Sequence, residues 1–121
     1  MFSFDKQNHI VAVTGGTGFL GRHVCAELKS RGYKNILIVH TGKESNKKWI
    51  EDNKYSGISL DLRKETSSEH LMTRIAPEAI INLAASVGGI GANQKMSADF
   101  MLHTMLIGSN LINSILKYHL K

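Results

Sequence analysis

Three glycines spaced three residues apart, Gly15, Gly18 and Gly21, follow the apolar run Ile10-Val11-Ala12-Val13 and lead into a helix-like segment from Arg22 to Arg31. A strand that breaks into such a turn and then a helix presents unpaired N–H groups, and the positive end of the helix dipole, to an anion. In this order the pattern suits a dinucleotide pyrophosphate. Gly15 permits the tight turn, Gly18 lets the backbone approach the phosphates, and Gly21 lets the helix pack close to the strand. The bland alternative is a glycine-rich turn with no ligand. A phosphate loop of the NTPase kind is disfavoured, because no Gly-Lys-Ser/Thr follows.

Two further loops carry groups able to read the rest of a dinucleotide, since open α/β sheets bind ligands at the carboxyl ends of their strands. After Val39 come His40, Thr41 and Lys43, and the nearest acid is Glu44. A carboxylate there would hold the ribose hydroxyls of NAD, whereas a cation would accept a 2′-phosphate, so the loop leans towards NADP with NAD the alternative. Asp61-Leu62 ends a third apolar stretch. Its acid either bonds the adenine amino group or caps the next helix.

Other chemistry is thin. Cys25 is the only cysteine, so an internal disulfide and a cysteine-built zinc site are excluded, and its apolar neighbours suggest a small buried residue. The six histidines show no paired metal-ligand spacing, and no metal is expected. These residue types assign no catalytic role within the chain.

The elements that position these loops alternate between apolar runs and helical periods, the pattern of a parallel sheet covered on both faces. Strands are expected at His9 to Val13, Ile36 to Val39, Gly57 to Leu60 and Ala79 to Ala84. A first helix from Leu20 to Ser30 ends at Gly32. A short helix between Lys43 and Asn53 is anchored by Trp49-Ile50. A third, capped by Ser67 or Ser68, reaches Ile75 before Pro77. A glycine-rich loop, Val87 to Gly91, precedes a long helix from Ser97 to Tyr118. Right-handed crossovers place the strands in the order 3-2-1-4, leaving the fourth as an unpaired edge.

The 121 residues are one domain, short for a two-lobed enzyme, and their 42% hydrophobic and 21% charged content suits a soluble chain. The net charge of +5 reads as a basic surface rather than a nucleic-acid site, because the lysines are scattered and no aromatics interleave with them. No apolar run reaches the roughly 18 residues of a membrane span, and no signal peptide is seen, so a cytoplasmic location is expected.

The turn from Thr14 to Gly21, the Asp61-Leu62 pair and Asn82-Leu83-Ala84-Ala85 together resemble the extended short-chain dehydrogenase/reductase family of epimerases and dehydratases. Ala84-Ala85-Ser86-Val87-Gly88-Gly89-Ile90, Asn93, Asp99-Phe100 and Ser109-Asn110 resemble its GDP-L-fucose synthase group. The resemblance runs from Ile10 to His119. It implies a Rossmann-like parallel sheet with helices on both faces, cut after four strands. It also implies NADPH-dependent 3,5-epimerisation and 4-reduction of GDP-4-keto-6-deoxymannose. Alternatives are another nucleotide sugar, or a module that binds NAD(P) without catalysis.

By the resemblance, Gly15, Gly18 and Gly21 line the pyrophosphate, Phe19 and Leu20 supply backbone donors, and Thr17, His40 and Lys43 also bind the cofactor, the last two towards the adenosine ribose. Asp61 and Leu62 flank the adenine. Leu83, Ala84, Ala85 and Val87 follow the cofactor, with Gly88 and Gly89 facing the sugar. The chain departs from relatives that carry arginine at the place of Thr17 and near His40, and its segment from Lys43 to Ser59 is longer. The family's Ser/Thr, Tyr-x-x-x-Lys and substrate lobe are expected beyond Lys121, so this part alone is expected to be inactive. The helix from Ser97 to Tyr118 carries an apolar stripe wider than one sheet contact needs, which implies either a homodimer bundle or packing under the missing lobe.

Overall fold

A computed structural model describes residues 2–84 and 90–118, with only the backbone described from 90 to 97. The order of elements is β1 (Ile10–Thr14), α1 (Phe19–Ser30), β2 (Asn35–His40), α2 (Glu44–Asp52), β3 (Ser56–Ser59) and α3 (Glu65–His70). A π-helical turn (Leu71–Ile75), β4 (Ala79–Asn82) and α4 (Ile90–Tyr118) complete it.

The four strands form one parallel sheet in the order β3-β2-β1-β4, the expected Rossmann-like topology. β1 and β2 take the centre because Ile-Val-Ala-Val and Ile-Leu-Ile-Val are apolar on both faces, as central parallel strands require. Register sets Thr14 beside Val39 on one side and Asn82 on the other, so the ends of β1, β2 and β4 lie level. Among the described residues β4 pairs with β1 alone, which makes it an edge.

The chain divides into two compact units, Met1–Leu60 with Ala76–Leu83, and Asp61–Ile75 with Ala84–Lys121. The first holds the sheet, α1 and α2. Its core joins Val11, Val13, Ile36 and Ile38 to Cys25 of α1 and Ile50 of α2, with Trp49 packed against it. Cys25 is fully buried, the small core residue that its neighbours suggested. Gly32 ends α1 in the left-handed region, and the Tyr33 N–H closes back onto the Leu28 carbonyl.

In the second unit α4 packs against α3 and the π-helical turn. The Asn110 amide donates to the carbonyls of Leu62 and Arg63, at 3.0 Å each, and so ties the loop before α3 to α4.

Two boundaries differ from the sequence expectation by more than two residues. α3 starts at Glu65 after Lys64, so Ser67 and Ser68 lie inside it and cap nothing. The Asp61 carboxylate accepts the Arg63 N–H, and the Asp61 carbonyl accepts the Lys64 N–H, which turns the chain into the helix early. α4 starts at Ile90 rather than Ser97, because Ala92, Gln94, Lys95 and Met96 favour helix and outweigh Gly91. Of the expected glycine loop, Ile90 and Gly91 are therefore helical, and 87–89 lie outside the described residues.

Candidate dinucleotide site

The glycine turn stands at the carboxyl end of β1. Gly15 adopts φ 68°, the left-handed region that favours glycine, and its carbonyl accepts the Gly18 N–H at 3.1 Å. A Cβ on Gly21 would enter the van der Waals shell of the Gly15 carbonyl oxygen and stand 2.6 Å from the Gly16 Cα. Gly21 is thus what lets α1 lie on the turn. Gly18 differs: it is exposed and extended at the N-cap, and a Cβ there would meet only the Gly15 oxygen at 3.4 Å. Its missing side chain leaves open space above the turn.

α1 begins with no side-chain cap and no acid in its first turn. Its first N–H groups and dipole therefore face that space without an internal anion, which is the arrangement that accepts a pyrophosphate. Phe19 and Leu20, the first residues of α1, are 86% and 58% exposed, and their backbone N–H groups lie at the turn.

The next groups come from β1, β2 and β4. The Thr14 hydroxyl donates to the Asn82 side-chain oxygen and accepts the Leu83 N–H at 3.1 Å. Leu83 itself packs against the core. His40 is buried, and its Nδ1 accepts the Gly42 N–H at 3.0 Å, so a neutral ring carries its proton on Nε2. Burial, aided by the Lys47 ammonium, pushes its pKa below the usual imidazole value. Thr41 and Lys43 are exposed, and Lys43 is the N-cap of α2. The end of β2 therefore presents no carboxylate.

Arg22 carries no spacing signal in the sequence beyond following Gly21. In the structure its Nε–H donates to the Thr17 carbonyl at 2.8 Å, and its guanidinium lies 4.6 Å from the centre of the Trp49 ring. One side chain thereby joins the glycine turn to α2.

Within the second unit, Asp61 and Arg63 form a fork of two hydrogen bonds, both 2.9 Å. The Arg63 guanidinium, opposed by partial burial, holds the Asp61 carboxyl below its usual pKa. The acid caps no helix, and Leu62 beside it is buried. Ala84 is half-buried. Ala85, Val87, Gly88 and Gly89 lie outside the described residues.

Among the described residues no group of three His, Cys, Asp or Glu could hold a metal ion, and no helix is long and apolar enough to cross a membrane.

A family model described as the NAD dependent epimerase/dehydratase family matches residues 11–121. A probable GDP-L-fucose synthase 1 of Oryza sativa subsp. japonica is 30% identical over 96% of this chain and 30% of its own length. A UDP-glucose 4-epimerase of Rhizobium meliloti is 28% identical over 91% of this chain and 32% of its own length. This chain thus spans less than a third of either relative. Among solved structures, the UDP-glucose 4-epimerase of Thermus thermophilus in complex with NAD is 25% identical, with a TM-score of 0.71 over 89% of this chain and 34% of that one. The UDP-glucose-4-epimerase of Stenotrophomonas maltophila, solved with bound NAD, matches in fold with a TM-score of 0.76 at 23% identity, over 94% of this chain and 35% of that one.

Proposed function

The chain belongs to the NAD dependent epimerase/dehydratase family, and we propose that it is the cofactor-binding part of a nucleotide-sugar epimerase/reductase of the GDP-L-fucose synthase type. The observation that carries this reading is the uncapped, acid-free start of α1 behind the bare Gly18. A nicotinamide dinucleotide bound there supplies hydride exchange with the sugar. The chain's own residues bind and orient it. The turn from Gly15 to Gly21 holds the pyrophosphate by backbone N–H groups. His40, Thr41 and Lys43 lie towards the adenosine ribose and favour NADP over NAD, and Asp61 accepts the adenine amino group beside Leu62. Leu83 and Ala84 follow the cofactor towards the sugar.

The sequence holds no Tyr-x-x-x-Lys. In this proposal the acid/base residues belong to the complete protein outside these 121 residues, and this part alone turns nothing over. The exposed apolar face of α4, with Met101, Leu102, Met105, Ile112 and Leu116 each more than half exposed, pairs with the same helix of a second copy. A cytoplasmic location belongs to the same reading.

The test is product analysis with the complete protein, GDP-4-keto-6-deoxymannose and NADPH. Formation of GDP-L-fucose is expected, and unchanged substrate overturns the assignment. The comparable identity to a UDP-glucose 4-epimerase supports a second reading, an epimerase of another nucleotide sugar. Turnover of UDP-glucose in the same assay would favour it. Dinucleotide binding without turnover of any nucleotide sugar would leave a binding module.

A further inference from the structure

Selection between the two nicotinamide dinucleotides rests on one group, the 2′-phosphate on the adenosine ribose. In a Rossmann-like fold that ribose lies between the glycine turn and the segment that follows β2. Arg22 is attached to both. Its Nε–H is fixed to the Thr17 carbonyl in the turn, and its guanidinium is stacked on Trp49 of α2. We propose that Arg22 receives the 2′-phosphate and makes this chain selective for NADP. The proposal rests on the dinucleotide reading above and names the residue that decides which dinucleotide binds.

Three features of the chain support it. First, the guanidinium uses only Nε within the protein, and among the described residues its two terminal nitrogens meet no acceptor. A planar fork with four free N–H donors matches two phosphate oxygens. Second, the hydrogen bond and the ring stack hold the fork before any ligand arrives, so less side-chain entropy is lost on binding. Third, nothing at the end of β2 opposes a phosphate. His40 is buried, with Nδ1 occupied by the Gly42 N–H. The nearest acid, Glu44, is 90% exposed and faces Lys47 at 3.4 Å. An NAD-selective chain would place a carboxylate on the ribose hydroxyls instead.

The competing role for Arg22 is a structural clasp between α1 and α2. Dissociation constants for NADP⁺ and NAD⁺, measured by calorimetry on the complete protein and on its Arg22→Gln variant, separate the two. The wild type is expected to bind NADP⁺ about tenfold tighter than NAD⁺ or more, as one charge-assisted contact implies. Arg22→Gln is expected to lose about tenfold to a hundredfold of NADP⁺ affinity, with NAD⁺ changed less than about twofold. Equal weakening of both cofactors means a clasp and overturns the proposal.

If Arg22→Gln does not fold, Arg22→Lys, which keeps the charge but not the planar fork, is compared with the wild type by affinity for 2′,5′-ADP against 5′-ADP. A weakened preference for the doubly phosphorylated probe supports the assignment, and an unchanged preference overturns it. Binding of both dinucleotides without preference removes the Arg22 role but leaves the dinucleotide site. Binding of neither removes both.

Discussion

The Thr14 hydroxyl, fully buried at the end of β1, donates to the side-chain oxygen of Asn82 at the end of β4, across a gap of 68 residues in sequence. It also accepts the Leu83 N–H, which the Thr14 carbonyl shares at 3.0 Å, so Thr14 ties the ends of β1 and β4 at the rim where the glycine turn begins. Thr14→Val keeps the shape and removes the donor, leaving the Asn82 oxygen without this partner. The expected cost is about 1–3 kcal/mol, read as a lower urea midpoint. Thr14→Ser restores the hydroxyl and most of the loss. An unchanged midpoint in the valine variant would refute the role.

Two glycines of the same motif are expected to fail in different ways. Gly18→Val meets little in the folded chain, so the thermal midpoint stays close to wild type, but the side chain fills the place of the pyrophosphate and dinucleotide binding is abolished. Gly21→Ala forces α1 away from the Gly15-Gly16 backbone and destabilises the fold by about 1–3 kcal/mol or more. Undiminished NADPH affinity in a folded Gly18→Val protein would contradict the site.

His40 carries a pH dependence whose sign follows from its lowered pKa. The unfolded ring takes a proton near the ordinary value of 6.5, and the folded ring resists it to lower pH. The unfolded state therefore binds more protons in that window, so stability is full above 6.5 and falls as the pH drops towards the folded value. Protonation also places a hydrogen on Nδ1 and removes the acceptor of the Gly42 N–H. Denaturant midpoints across this range should slope less in His40→Asn than in wild type. Identical slopes would show that His40 does not contribute.

Cys25 is expected to be chemically silent. Its side chain is fully buried, and burial pushes the thiol up to about 11. Reaction with a thiol-specific disulfide reagent at neutral pH should proceed only as fast as the protein opens. Immediate labelling of the native protein would contradict this packing.

Ser68 lies buried in α3, and its hydroxyl has no hydrogen-bond partner among the described residues. Ser68→Ala removes an unsatisfied group and improves helix propensity, so it should be neutral or stabilising by up to about 1 kcal/mol. A clear loss of stability would show that the hydroxyl is engaged.

Local pattern made most of the scaffold legible. The apolar runs through Val11 and Ile38 are too continuous for a surface strand, and the glycine-rich turn from Gly15 to Gly18 separates β1 from α1. Gly32 marks the end of α1 for the same reason, a backbone angle that side chains resist. These signals act over a few residues, so they survive in a bare sequence. The start of α3 did not, because the Asp61–Arg63 fork competes with the serine caps and wins locally.

The sequence by itself thus determined the alternation of strand and helix, the strand order and the position of the glycine turn. Only the tertiary structure decided the contacts between segments: Thr14 with Asn82, the His40 ring with the Gly42 N–H, and Arg22 between Thr17 and Trp49. Strand and turn preferences are properties of neighbouring residues. A side chain's hydrogen-bond partner is set by which segments packing brings within about 3 Å, and no local spacing encodes that distance.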